Sequence, residues 1–329
     1  MMISTRCAVI AVAMSAAAVH LTAQQNQPPA PAKPDSPAII GQLDRLKTSV
    51  GTRWADAVHF WCEAPRANRP DDPAIQPARI FDNVYTIGNA GTVAYVIQTS
   101  AGLMMIDALG ANQVESDLLP GFMKLGLDPA QVKTILVAHG HADHFGGSAY
   151  FQQKFGSKVY VSAADWTLME TPPRGRGPGA PTPAAPPKRD GELRDGESVT
   201  LGNVSVRAIA VPGHTPGSMA FIIPVLDRGE RHVAALFSGS WLTPGLLNDE
   251  AMQTYIASVA RFRQATVDAG VDAWLQNHPL MVPFQDWLTR LSSRGRNDMN
   301  PFVVGRGDYQ KFLDVIEGCS RIALERRGL

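Results

Sequence analysis

Residues 139–144 read His-Gly-His-Ala-Asp-His, and no other stretch restricts the chain as strongly. The cluster follows directly on Thr134–Ala138, TILVA, a continuous apolar run that predicts a buried strand. An extended backbone sends side chains two apart to the same side, so His139 and His141 face one position. Asp143 and His144 come after the chain turns and can address a second position nearby. Imidazole nitrogens with one carboxylate suit zinc, in a set that leaves room for water. A polar turn with incidental histidines is the competing explanation. Three His and one Asp within six residues are rarely such an accident.

Two more of the eight histidines fit the same scheme. His214 lies in the Gly/Pro turn Pro212-Gly213-His214-Thr215-Pro216-Gly217, directly after a predicted strand. His278 lies in Asn277-His278-Pro279, after the run AWLQ. Either alone would pass as a hydrogen-bonded turn histidine. Beside the cluster, both become candidate ligands, because scaffolds carry ligands on loops at strand ends. His59 and His232 have no motif around them and read as structural residues.

Composition narrows the function classes. Thirty Lys+Arg balance thirty Asp+Glu, which argues against a nucleic-acid or anionic-membrane partner. Hydrophobic residues make up 45% of the 329, enough for a sizeable core. Three cysteines exclude a disulfide scaffold and a four-cysteine zinc site. Met1–Ala23 carries Arg6, then an apolar stretch too short to span a bilayer, then a small residue at Ala23. That is the pattern of a secretory signal peptide. His20 falls inside it. Export to the periplasm or medium leaves Cys62 and Cys319 in an oxidising compartment. They are either one disulfide, tying the N-terminal segment to the C-terminal helix, or two separate buried thiols.

Residues 24–40 are Pro-rich and polar and predict a tether. Residues 41–329 then form one domain, with its core at about 78–329. ARIFDNVYTIG, TVAYVIQTS and GLMMIDA predict an antiparallel meander. Val114–Leu127 reads as a helix disturbed by Pro120 and Gly121. Gly147–Phe155 reads as a helix and Lys158–Val161 as a strand. The Pro/Gly-rich residues 171–190 predict a long surface loop. Further strands fall at Ser198–Thr200 and Val204–Val211, with a hairpin of Phe221–Pro224 and His232–Phe237. A helix at about Ala251–Ala269, a short strand at Ala273–Gln276 and a helix at about Tyr309–Arg326 complete the chain. Two strand-rich halves, each with helices, suggest sheets packed face to face with helices outside.

The HxHxDH cluster, the PGHTPG turn and the late His-Pro together resemble the metallo-β-lactamase fold superfamily, most closely the class B, subclass 3 β-lactamases. RIFDNVYTIG, LRDGESVTLGNV and Asn300-Pro301-Phe302 are further local likenesses. The resemblance covers roughly Ala78 to the C-terminus. It implies an α+β fold, a four-layer αββα sandwich. It implies two Zn2+ ions, the first held by His139, His141 and His214, the second by Asp143, His144 and His278. The activity implied is opening of the β-lactam ring, an antibiotic-resistance function, by attack of a zinc-bound hydroxide oriented by Asp143. The substrate is then a small molecule (a β-lactam or lactone), with no membrane contact after signal removal, and the protein is expected to be a monomer.

The departures from relatives are informative. Glyoxalase-II-like and phosphodiesterase-like members usually carry a bridging Asp in a Gly-Asp step before the last His. Here the stretch reads Phe237-Ser238-Gly239-Ser240-Trp241, without a carboxylate. Ser240 matches the subclass 3 arrangement, in which a Ser near the second zinc contacts water or substrate. That subclass often presents a second Ser two residues later, where this chain has Leu242, and residues 240–249 contain no Lys or Arg. These two features favour a lactonase of the same fold, acting on cyclic esters, as the alternative. A non-enzymatic zinc-binding protein is the third reading, and an intact ligand set argues against it.

Overall fold

A computed structural model describes residues 34–65, 72–171, 184–240 and 247–328. The predicted signal peptide, most of the 171–190 loop and Leu242 lie outside the described residues.

The first sheet has seven strands in sequence order: β1 (Ala78–Phe81), β2 (Val84–Gly88), β3 (Val93–Thr99), β4 (Gly102–Ile106), β5 (Val132–Leu136), β6 (Lys158–Val161) and β7 (Gly191–Glu192). As the meander predicts, β1 to β4 pair antiparallel. From β4 to β7 the pairing is parallel. The second sheet holds β8 (Ser198–Leu201), β9 (Val204–Ala210), β10 (Met219–Asp227), β11 (Glu230–Leu236) and β12 (Ala273–Leu275), in the order β12-β11-β10-β9-β8. The helices are α1 (Pro37–Val50), α2 (Ala55–Val58), α3 (Leu119–Lys124), α4 (Ala142–Phe145), α5 (Ser148–Phe155), α6 (Ala163–Glu170), α7 (Asp249–Ala269), α8 (Phe284–Ser293) and α9 (Arg306–Arg326).

Period-two side-chain alternation divides the first sheet between two cores. Val93, Tyr95 and Ile97 of β3, with Met104 and Ile106 of β4, face Val206, Phe221, Ile223 and Leu236 of the second sheet. Ala94, Val96, Leu103 and Met105 face outward, under Phe122, Phe151 and Trp166 of α3, α5 and α6. The central strands are buried on both faces, which is why they read as unbroken apolar runs. The outer face of the second sheet is covered by α7 and α9, with Trp54, Trp274, Trp287 and Phe312 in close aromatic contact. Two sheets packed between helices are the expected sandwich.

The N-terminal part differs from expectation. Helix α1 starts at Pro37, inside the stretch read as tether. Its cap explains the start: the Ser36 hydroxyl accepts from the Ile39 amide at 3.3 Å, and proline is favoured at the first helical position. Cys62 and Cys319 form a disulfide with a Cα–Cα distance of 4.9 Å, joining the segment after α2 to α9. The Arg326 guanidinium reinforces the junction, donating to the Cys62 carbonyl and pairing with Asp35 at 2.7 Å. Among the described residues, no helix is long and apolar enough to cross a membrane.

Candidate metal centre

The six predicted ligands come together at one edge of the sandwich, on the connections that follow β5, β9 and β12. His139 follows β5. His141 caps α4, in whose first turn Asp143 and His144 lie. His214 lies in the β9–β10 turn, and His278 follows β12. They form two sets, His139–His141–His214 and Asp143–His144–His278, and within each the candidate ligand atoms lie within 4.8 Å of one another. The sets adjoin: the rings of His139 and His144 are 4.0 Å apart. The other two described histidines stay outside, His59 against Glu63 at 3.0 Å and His232 against Asp272 at 2.8 Å.

The donor geometry fits metal ions. A tetrahedral ion with bonds of about 2.0–2.2 Å holds its ligand atoms roughly 3.3–3.6 Å apart. His141 Nδ1 and His214 Nε2 are 3.0 Å apart. His144 Nε2 lies 3.1 Å from His278 Nε2 and 3.5 Å from Asp143 Oδ2, and His278 Nε2 lies 3.7 Å from that oxygen. His139 Nε2 is buried without a hydrogen-bond partner among the described residues. Such an atom is an acceptor awaiting a cation.

Neighbouring groups fix three of the rings. The buried Asp107 carboxylate accepts from His144 Nδ1 at 2.7 Å. The Gly91 carbonyl accepts from His278 Nδ1 at 2.8 Å. The Ser238 hydroxyl donates to the Ala138 carbonyl, so its oxygen is left to accept from His139 Nδ1, each at 3.1 Å. All three rings therefore carry the proton on Nδ1 and turn the Nε2 lone pair inward, as metal ligation requires. Asp107 also accepts from the Ala138 amide at 2.8 Å and the Asn277 side chain at 3.1 Å. It holds this arrangement at a φ of 61°, a left-handed backbone that Asp tolerates better than most residues.

Electrostatics follow from this crowding. Burial, reinforced by the neighbouring imidazoles, drives His139 and His214 well below the ordinary histidine range. Burial likewise pushes His278 down to about 4. These rings stay neutral at pH 7 and free to bind metal. Burial opposes ionisation of Asp143, but His144, His278 and His141 outweigh it and hold the carboxyl below its usual range. Burial also pulls His144 down, and Asp143 and Asp107 outweigh it, so that pKa is raised.

Ser240 follows β11 with its side chain wholly buried. Its hydroxyl has no partner among the described residues, and its carbonyl accepts from the Trp61 indole. The preceding Gly239 has a φ of +67°, and a Cβ there would lie 2.4 Å from the His214 Cβ. Only glycine lets this connection close on the ring. No further carboxylate joins the two sets among the described residues.

The sandwich with two ligand-bearing sets at its edge is the metallo-β-lactamase fold. Residues 87–227 match the family model described as the metallo-beta-lactamase superfamily. Among solved structures it is similar to BJP-1, a subclass B3 metallo-β-lactamase of Bradyrhizobium japonicum. That match has 26% identity and a TM-score of 0.66, and covers 78% of this chain and 96% of that one. The native FEZ-1 metallo-β-lactamase from Legionella gormanii shares the fold at 23% identity, with a TM-score of 0.63 over 79% of this chain and 95% of that one. Among curated proteins it is 34% identical over 122 residues to an uncharacterised protein of Mycobacterium tuberculosis, covering 35% of this chain and 52% of that protein. It is 31% identical over 88 residues to a hydroxyacylglutathione hydrolase of Acidiphilium cryptum, covering 27% of this chain and 29% of that protein. The chain thus spans about half the length, or less, of these curated relatives.

Proposed function

We propose that the chain is an exported dizinc hydrolase that opens the β-lactam ring. The observation that carries this reading is the pair of adjoining three-ligand sets, five imidazoles and one carboxylate, without a carboxylate on Ser240's connection. Bound zinc ions would supply Lewis acidity and lower the pKa of a bound water to about 7. The chain's own residues prepare that chemistry. His139, His141 and His214 would hold the first ion, and Asp143, His144 and His278 the second. Asp107, Gly91 and Ser238 keep the Nδ1 protons of their partner rings in place. Asp143, held ionised, accepts a hydrogen bond from the attacking water and so orients it. Ser240 offers a buried hydroxyl to water or substrate. The signal-peptide pattern of Met1–Ala23 and the Cys62–Cys319 disulfide support the reading of an exported protein.

A second reading, a lactonase acting on cyclic esters, is favoured by Leu242 and by the lack of Lys or Arg across residues 240–249. Side-by-side assays of zinc-loaded protein on a chromogenic cephalosporin and on a lactone separate the two. The cephalosporin is expected to be the better substrate, with a chelator abolishing turnover and zinc restoring it. Faster lactone hydrolysis would reverse the ranking, and turnover that survives chelation would end both.

A further inference from the structure

Asp165 lies in the first turn of α6 with its side chain wholly buried, and none of its contacts is with a candidate ligand atom. Its Oδ2 accepts from the Gly140 amide at 2.7 Å and from the Thr215 hydroxyl at 2.7 Å. Its Oδ1 accepts from the Gly217 amide at 2.9 Å. Gly140 separates His139 from His141, and Thr215 directly follows His214. One carboxylate therefore ties together both chain segments that bear the first ligand set. The closure is tight: a Cβ on Gly217 would lie 2.0 Å from the Ser162 hydroxyl and 2.7 Å from the Asp165 Cγ.

We propose that Asp165 is the positioning residue of the first metal set, holding the His139–His141 loop and the His214 turn at the separation one ion requires. The chemistry explains the residue type. Three donors converge on it, and an ionised carboxylate is acceptor-only, so it can take all three. An amide in its place would turn an NH2 group toward N–H donors. Thr215 shares the role through its hydroxyl, which Ser would keep and Val would remove. In the second set, Asp107 braces His144 and Gly91 braces His278, and none of the three hydrogen bonds that Asp165 accepts comes from a residue of that set. The proposal rests on the reading of His139, His141 and His214 as one metal set.

The test is Co2+ titration of the metal-free full chain, followed by visible absorption and metal stoichiometry, so that no activity is needed. His214→Ala and His278→Ala assign the two binding phases to the two sets. Asp165→Asn is expected to weaken the first-set phase by about 10–100-fold, the usual effect of removing a group that orients ligands, and to leave the second phase in place. Thr215→Val is expected to weaken the same phase, and Thr215→Ser to restore it. The Thr215 pair decides the matter if Asp165→Asn does not fold. Equal weakening of both phases, or none, overturns the positioning role. A wild-type titration in which His214→Ala removes no phase overturns the ligand set itself, a different and recognisable failure.

Discussion

Replacing Asp143 or His141 by Ala is expected to lower kcat/KM about a thousandfold or more while the protein still folds. The two residues belong to different sets, so each variant disables one candidate ion position. Loss of a group that merely orients a ligand costs 10–100-fold in affinity or activity, and loss of a ligand should cost more. A thousandfold corresponds to about 4 kcal/mol of transition-state stabilisation. Both side chains are chosen because neither is part of the core: His141 is exposed and Asp143 half-buried, whereas His139, His144 and His278 are buried. The melting temperature and circular dichroism of metal-free protein should therefore match the parent. Near-parental turnover in either variant would contradict the assignment.

Opening the Cys62–Cys319 disulfide is expected to be the largest single loss of stability. The bridge spans 257 residues of sequence. In the chain-entropy model a loop of that length approaches the upper end, about 5 kcal/mol, of what disulfides contribute. For a domain of this size, that is a fall in melting temperature on the order of 10 °C. Activity should fall with it, because Trp61, next to Cys62, donates its indole N–H to the carbonyl of Ser240. The check is thermal unfolding of Cys62→Ala/Cys319→Ala against the parent, with and without reductant. A melting temperature unchanged by either treatment would contradict the expected role.

Much of this arrangement is legible in the residue order because its causes are local. Alternation marks β3 and β4, and helical spacing marks α7 and α9. The HxHxDH spacing, the Gly/Pro turn at His214 and the Asn-His-Pro step at His278 identify all six candidate ligands. What escapes is set by long-range contact. Asp107 sits 37 residues from His144, and Asp165 sits 50 from Thr215. A lone Asp at a strand end or in a helix turn carries no sign of such a partner. Helix α6 did leave a signal: Ser162 three residues before Asp165 is a capping pair, and its hydroxyl accepts from the Asp165 amide. Its eight residues show little amphipathic spacing, so periodicity alone passes it over. Helix α8 follows Pro283, between the late His-Pro and the final helix, where the sequence analysis predicts no element.

Anomalous scattering at the zinc edge, from crystals of zinc-loaded protein, is the most direct measurement. Two peaks are expected, about 3.5–4 Å apart as in two-metal hydrolytic sites. One should lie among His139, His141 and His214, and the other among Asp143, His144 and His278. No peak at either set, or zinc bound only elsewhere on the surface, would contradict the dizinc centre and the hydrolase built on it.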